Sequence, residues 1–340
     1  MQIILKRRAK RLIPAKEDKE LKEAQGFIEF EGANRHDYPC GLVCVTEGQN
    51  GGEATLIKYA EKNVLHDCGM AYSAEETISN IKKELDGENL DYILVSHTHY
   101  DHIGALPYIK KAFPGVRTVG SAYGQYVLTR PGALKVIKSL GESAAAQYGT
   151  GNEEITTDGM GIDIVLADGE KLDIGMSADG PAYITALETK GHTDCAMTYV
   201  IEPCGIMLAC ESTGICVGPM KMDVAILKSF DDSIASLEKC RNYGAKRIIS
   251  PHYGIVPESY NETYWKLFEE MAWDERNYVV GMWNSGLSPE QMLKKTTKEV
   301  FEGGRGKEQP YDAFVANTTA IIKVYEKYAD PDKKYKCERE

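Results

Sequence analysis

No stretch of the 340 residues approaches the roughly 20 consecutive apolar positions with which a helix crosses a bilayer, so no membrane partner is expected. CxxC spacing is missing too. The nine cysteines are scattered and odd in number, which suits a reduced chain with buried thiols better than a disulfide framework. Nor does the start read as a secretory leader, because Met1 to Leu5 precedes Lys6, Arg7 and Arg8 instead of following them. These absences together predict a cytoplasmic protein. There is no basic excess either. A formal net charge of −11 argues against a nucleic-acid partner or substrate, since binding phosphates needs a basic surface. The short basic run over 6–11 is diluted by acids over 16–23 and reads as a solvated face. Internal repeats and low-complexity tracts are absent, and 43% hydrophobic and 27% charged residues are ordinary for a globular chain. The length suits one large two-layered domain or two modest ones.

Histidine is scarce, seven residues in all, yet three of them fall within six positions of Ser96-His97-Thr98-His99-Tyr100-Asp101-His102-Ile103-Gly104. The apolar run Tyr92-Ile93-Leu94-Val95 leads straight into this cluster. Neutral imidazoles crowded with a carboxylate favour a borderline divalent cation such as zinc. If 91–96 is a strand, alternation places His97 and His99 on one side, where both reach one ion. Asp101 and His102 are adjacent and suit a second ion once the chain turns, with Gly104 relaxing the backbone. A solvated histidine-rich loop is the competing reading, and it leaves the apolar strand unexplained.

Around the cluster, strands are expected over 41–47, 55–59 and 63–66, then a helix from Ser73 to about Leu85 on the capping box Ser73-Ala74-Glu75-Glu76. A short helix is expected over 17–24, another near 103–112, a strand near 116–120 and a helix over 134–147. Further strands fit 162–166, 182–188, 197–201, 206–209 and 247–249, with a helix over 223–243. Strands alternating with helices predict an α/β (α+β) chain, its strands sandwiched between outer helices. Beyond Pro257 the pattern is helical, over 259–280, from the capping box Ser288-Pro289-Glu290-Gln291, and over 311–328. Trp265, Trp273 and Trp283 all fall there, where they either pack helices together, form a homo-oligomer contact or reach the substrate. The expected organisation is a polar leader over 1–38, a catalytic domain over 39–257 with an insertion at 121–160, and a helical extension over 258–340.

The HxHxDH run over residues 97–102 resembles the signature of the metallo-β-lactamase-fold hydrolases, the superfamily of glyoxalase II, lactonases and phosphodiesterases. Four further stretches resemble its motifs in order. They are Leu65-His66-Asp67-Cys68-Gly69, Asp168-Gly169-Glu170-Lys171-Leu172, Thr189-Lys190-Gly191-His192-Thr193 and Ser250-Pro251-His252-Tyr253-Gly254, spanning about 40–256. The resemblance implies a four-layer αββα sandwich with a helical C-terminal extension. It implies that His97, His99 and His192 hold one metal, and that Asp101, His102 and His252 hold another. The family's bridging aspartate is replaced here by Glu211, which is longer by one carbon–carbon bond, about 1.5 Å. Glu211 then chelates one ion or shifts the metal separation. Cys210 is a competing ligand, although alternation sends it to the opposite face. The expected cofactors are two divalent ions, zinc first, with iron or manganese as alternatives.

By the same resemblance the reaction is hydrolysis by a hydroxide formed from metal-bound water, with Asp101 either orienting it and shuttling a proton or acting as a ligand alone. The acidic chain favours a small-molecule carboxylic ester, thioester or lactone. A phosphodiesterase or sulfuric-ester hydrolase is the second reading, and a non-catalytic metal-binding protein the third. Di-iron oxidoreductases of the fold carry glutamate where His99 stands, which argues against redox chemistry. Asp67 is either an outer partner to a ligating imidazole or a turn residue, and His66 is either structural or such a partner. Lys190 is exposed or pairs with an anionic substrate, while Tyr100 and Tyr253 either donate to a developing oxyanion or pack against the loop.

Overall fold

The computed structural model describes residues 37–46, 52–151, 153–218, 221–252 and 254–335. The expected helix over 17–24, His36 and Tyr253 lie outside the described residues.

Two sheets face each other. The first has seven strands in sequence order: β1 (Asp37–Tyr38), β2 (Leu42–Cys44), β3 (Thr55–Ile57), β4 (Val64–His66), β5 (Tyr92–Leu94), β6 (Arg117–Gly120) and β7 (Ile164–Val165). The second has six: β8 (Lys171–Ser177), β9 (Gly180–Glu188), β10 (Met197–Glu202), β11 (Ile206–Leu208), β14 (Arg247–Ser250) and β15 (Gly254–Ile255). A separate hairpin pairs β12 (Ile215–Gly218) with β13 (Lys221–Asp223).

Alternation along the strands explains the layering. Leu42, Cys44, Ile57, Val64 and Leu94 turn inward from the first sheet and meet Ile174, Ile184, Tyr199, Ile201 and Leu208 from the second. Their neighbours Val43, Leu56, Leu65 and Ile93 turn outward and pack under helices α1 (Ala74–Leu85), α3 (Leu106–Ala112) and α5 (Pro131–Tyr148). On the far side, Val200, Met207 and Ile248 turn outward beneath α6 (Phe230–Tyr243) and α7 (Asn261–Asn284). The result is the αββα sandwich. Tyr199 ties the sheets together by donating its buried hydroxyl to Val95 O at 2.9 Å. The C-terminal helices α7, α8 (Pro289–Thr296) and α9 (Tyr311–Tyr325) share one core with α6. Trp265 and Trp283 are buried in that core, whereas Trp273 is 41% exposed beside the Arg276 guanidinium. No helix among the described residues is long and apolar enough to cross a membrane.

Several local expectations need correction. Ser73 does not cap α1: a 3-10 turn over Ala71–Ser73 precedes the helix, Ser73 leaves the extended region, and its hydroxyl donates to Met70 O. Ser288 is extended, with φ −69° and ψ 157°, and there the capping box forms in full. The helix expected from residue 223 starts at Phe230, because Ser229 caps it and Asp223 belongs to the β12–β13 hairpin. Elements outside the expected set include the helix α4 (Ala122–Leu128), the β12–β13 hairpin, β15 and strand β8, whose Leu172 and Ile174 alternate with exposed residues. Gly104 does not relax the backbone either. It is helical, and a Cβ there would lie 2.4 Å from Tyr100 O and 2.7 Å from Ala71 N.

Candidate metal centre

The strands β4 and β5 run parallel, as do β11 and β14, and β9 shares their direction through the antiparallel β10. Their C-terminal ends therefore open at one end of the sandwich. The seven residues named from sequence as ligands all lie there, in two groups whose ligand atoms stand within 4.8 Å of one another. His97, His99, His192 and Glu211 make one group; Asp101, His102, Glu211 and His252 make the other.

In the first group, His99 Nδ1 stands 3.0 Å from His97 Nε2 and 2.9 Å from His192 Nε2. Glu211 Oε2 is 2.5 Å from His192 Nε2 and 3.4 Å from His97 Nε2. In the second, His102 Nε2 is 3.6 Å from Glu211 Oε1 and 3.7 Å from Asp101 Oδ2. His252 Nε2 contacts the same Glu211 oxygen and is 3.9 Å from Asp101 Oδ2. Glu211 thus gives one carboxylate oxygen to each group. It opens a buried 3-10 turn just after β11, while the neighbouring Cys210 belongs to neither group and burial pushes its thiol up.

Hydrogen bonds on the far side of the His97, His102 and His192 rings fix which nitrogen faces the site. Asp67 Oδ1 accepts the Ser96 backbone N–H at 2.8 Å, and Oδ2 accepts both the Ser96 hydroxyl at 2.7 Å and His102 Nδ1–H at 2.8 Å. Because the Ser96 proton is committed to Asp67, its oxygen accepts His97 Nδ1–H at 3.0 Å. His192 Nδ1–H donates to Ala225 O at 2.6 Å, and Ser212 Oγ accepts the His192 backbone N–H at 3.1 Å. One residue, Asp67, therefore orients two imidazoles. Burial opposes its ionisation, but His66 and His102 outweigh that and hold its carboxyl well below the usual range.

These donors fit divalent cations. With Nδ1 protonated on His97 and His192, their Nε2 lone pairs face His99 Nδ1, so at most one proton serves three nitrogens. That arrangement is repulsive unless a cation lies among them. Burial, with His102 nearby, pushes His97 down to about 4, and burial holds His99 well below its ordinary value, so both rings offer lone pairs at neutral pH. In the second group, His102 Nε2 is buried without a hydrogen-bond partner. Burial disfavours its charged form, yet Asp101 and Asp67 raise its pKa well above the ordinary value, so an entering cation would displace a proton there. For Glu211 too, burial is outweighed by His192 and His252, which keep the carboxylate ionised.

Ser96 and Ser212 were not picked out from sequence, although each sits beside a named ligand. Asp168 works at a distance, its Oδ1 accepting Glu188 N at 2.8 Å and Lys239 Nζ at 2.9 Å, which pins the end of β9 ahead of His192. Lys190 is exposed and pairs with Glu188 at 3.3 Å. Tyr100 is buried, and burial pushes its hydroxyl up, so it stays protonated. α5 packs against the turn of helix α2 (Tyr100–Ile103) that carries Asp101 and His102.

From sequence Gly52 reads only as part of a Gly-rich turn, Asn50-Gly51-Gly52. A Cβ there would lie 1.5 Å from Asp101 O and 2.4 Å from Asp101 C, backbone atoms with no room to yield. Gly52→Ala is expected to displace the Asp101 turn and lower activity about 10²-fold, the usual cost of a 1 Å misplacement. Gly115→Ala, which meets nothing within 4 Å, is the control. Equal activity and metal content in both variants would remove Gly52 from this role.

The model of the metallo-beta-lactamase superfamily matches residues 48–252. Subunit 3 of the cleavage and polyadenylation specificity factor of Dictyostelium discoideum is 26% identical over 216 residues, 59% of this chain and 27% of that protein. The flavo-diiron protein FprA2 of Clostridium acetobutylicum is 31% identical over 87 residues, 26% of this chain and 22% of that protein. The chain thus spans about a quarter of the length of these relatives. Among solved structures, a metallo-beta-lactamase superfamily protein of Sulfolobus tokodaii aligns with TM-score 0.46 and 18% identity, covering 73% of this chain and 85% of that one.

Proposed function

Because the chain belongs to the metallo-beta-lactamase superfamily, we propose that it is a metal-dependent hydrolase of a small-molecule carboxylic ester, thioester or lactone. The observation that carries this reading is the Glu211 carboxylate, which turns one oxygen to each of two convergent donor groups. His97, His99, His192 and Glu211 would hold one ion, and Asp101, His102, His252 and Glu211 the other. Two divalent ions held there would supply a water ionised near neutral pH and a Lewis-acidic face for the scissile oxygen. Zinc suits the histidine-rich set best. The likeness to a flavo-diiron protein supports iron as the alternative, with manganese behind it.

The chain's own residues divide the remaining work. Asp101 is the proposed catalytic residue. Its side chain is 17% exposed against 7% for Glu211, so it can orient a water and pass its proton outward to a leaving group. The protonated Tyr100 beside it is a candidate donor to a developing oxyanion. The catalytic unit is placed over 39–257, with the helices beyond 258 as its support. Buried free thiols among the described cysteines favour a reduced, cytoplasmic setting.

The net charge of −11 favours a small substrate over a polyanion. A phosphodiesterase is the second reading, favoured by the likeness to the polyadenylation-factor subunit. A chromogenic panel of esters, thioesters, lactones and bis-p-nitrophenyl phosphate separates the two. Turnover of the carboxyl substrates is expected, lost at least about 10²-fold on chelation and restored by zinc. Cleavage of the phosphodiester alone would transfer the assignment to the second reading. A metal-loaded chain inert on every substrate would overturn both.

A further inference from the structure

Six of the eight described cysteines are buried, and the two that solvent reaches, Cys40 and Cys204, meet each other. Their side chains share a hydrogen bond although they come from different sheets. Cys40 belongs to the turn Pro39–Gly41 between β1 and β2 of the first sheet. Cys204 belongs to the turn between β10 and β11 of the second, where its thiol also donates to Ile201 O at 3.5 Å.

Strand directions explain the meeting. β2 and β4 run the same way because both are antiparallel to β3, so the β1–β2 turn lies at the end of its sheet away from His66. β10 runs against β9 and β11, so the β10–β11 turn lies away from Glu188 and Glu211. Each sheet thus brings one half-buried cysteine to the end opposite the donor groups, and both pack against the core between the sheets. Cys40 is held there against its backbone preference. Its φ of 62° and ψ of 33° are left-handed, a conformation uncommon for a residue with a Cβ. A glycine would suit that turn better, so the turn alone does not account for a cysteine.

We propose that Cys40 and Cys204 form a reversible disulfide that clamps the two sheets together at the end remote from the donor groups. The oxidant is a low-molecular-weight disulfide such as oxidised glutathione. Burial, reinforced by the Cys40 thiol, pushes Cys204 up to about 12, so it stays protonated at neutral pH and Cys40 opens the reaction. The Cys40 thiolate attacks one reagent sulfur, the reagent's S–S bond breaks, and one glutathione leaves and takes up a proton. The Cys204 sulfur then gives its proton to solvent, attacks Cys40 Sγ and expels the second glutathione. Two protein thiols are oxidised and one reagent disulfide is reduced. An excess of reduced glutathione runs the same steps backward. None of this depends on what the donor groups hold.

The test incubates the unmodified chain with excess oxidised glutathione, blocks the remaining thiols by alkylation and maps the disulfides by mass spectrometry after digestion. A Cys40–Cys204 link is expected. It closes a loop of about half the chain, so the oxidised protein should melt about 5–15 °C higher, and dithiothreitol should return it to the starting value. Cys204→Ser should stop at a single glutathione on Cys40 and gain no thermal stability. Cys40→Ser should leave Cys204 a free thiol. A map without the Cys40–Cys204 link, or a link that leaves the melting temperature unchanged, overturns the proposal. The map of the unmodified chain decides the matter if a serine variant does not fold.

Discussion

Glu211→Ala is expected to lower hydrolysis at least about 10³-fold, close to 4 kcal/mol of transition-state stabilisation, and to leave the purified protein short of metal. The reason is its double duty. One oxygen serves the group of His97 and His192, and the other serves the group of His102 and His252. Removing it takes the carboxylate shared by both groups and leaves imidazoles facing one another in a buried site. Glu211→Asp is the sharper variant. It shortens the reach by about 1.5 Å, so one group should lose its oxygen, and metal content should fall toward one ion per chain. Elemental analysis and initial rates read both outcomes. An aspartate variant with two ions and parental rates would show that the extra methylene has no role in bridging.

Asp67→Ala carries the second large effect, and here stability moves together with metal binding. Asp67 accepts from Ser96 N, the Ser96 hydroxyl and His102 Nδ1. Truncation strands three buried donors, and breaking a buried charged partnership of this kind costs about 3–5 kcal/mol. Because Asp67 also aims His102 directly and His97 through Ser96, metal affinity should fall about 10–100-fold. The pH dependence has a definite sign. The folded carboxyl is held below its unfolded value of about 3.9, so its contribution is complete above that pH. It is lost as pH falls through the folded value, where the unfolded chain binds the extra proton. Denaturant unfolding of the parent should therefore weaken steeply below about pH 4, and the variant should lack that slope. A variant with parental stability and the same acid slope would show that Asp67 is a turn residue only.

Much of this was legible before any fold was known. The dense histidines after an apolar strand, and the ordered motifs around Asp67, Asp168, His192 and His252, pointed to the residues of both donor groups and to the sandwich. The misreadings were local. Ser73 carries the right residues for a cap, but its backbone had already entered a 3-10 turn. Residues 223–229 looked helical because their apolar spacing suits either state, but Asp223 pairs in the β12–β13 hairpin and Ser229 caps the helix that follows. Gly52 was legible only as part of a Gly-rich turn, because its need for a bare backbone comes from Asp101, which lies far along the chain.

By itself, then, the sequence determined the donor chemistry. Which side chains can bind a cation, and how His97, His99, Asp101 and His102 follow one strand, are matters of residue type and short-range periodicity. Tertiary structure alone decided that His99 and His192, 93 residues apart, stand 2.9 Å from one another. It alone decided that Glu211 faces both groups with separate oxygens. Those relations depend on the order and direction of strands in two sheets. Strand order is set by non-local pairing and by which faces are buried together, and no window of neighbouring residues encodes it.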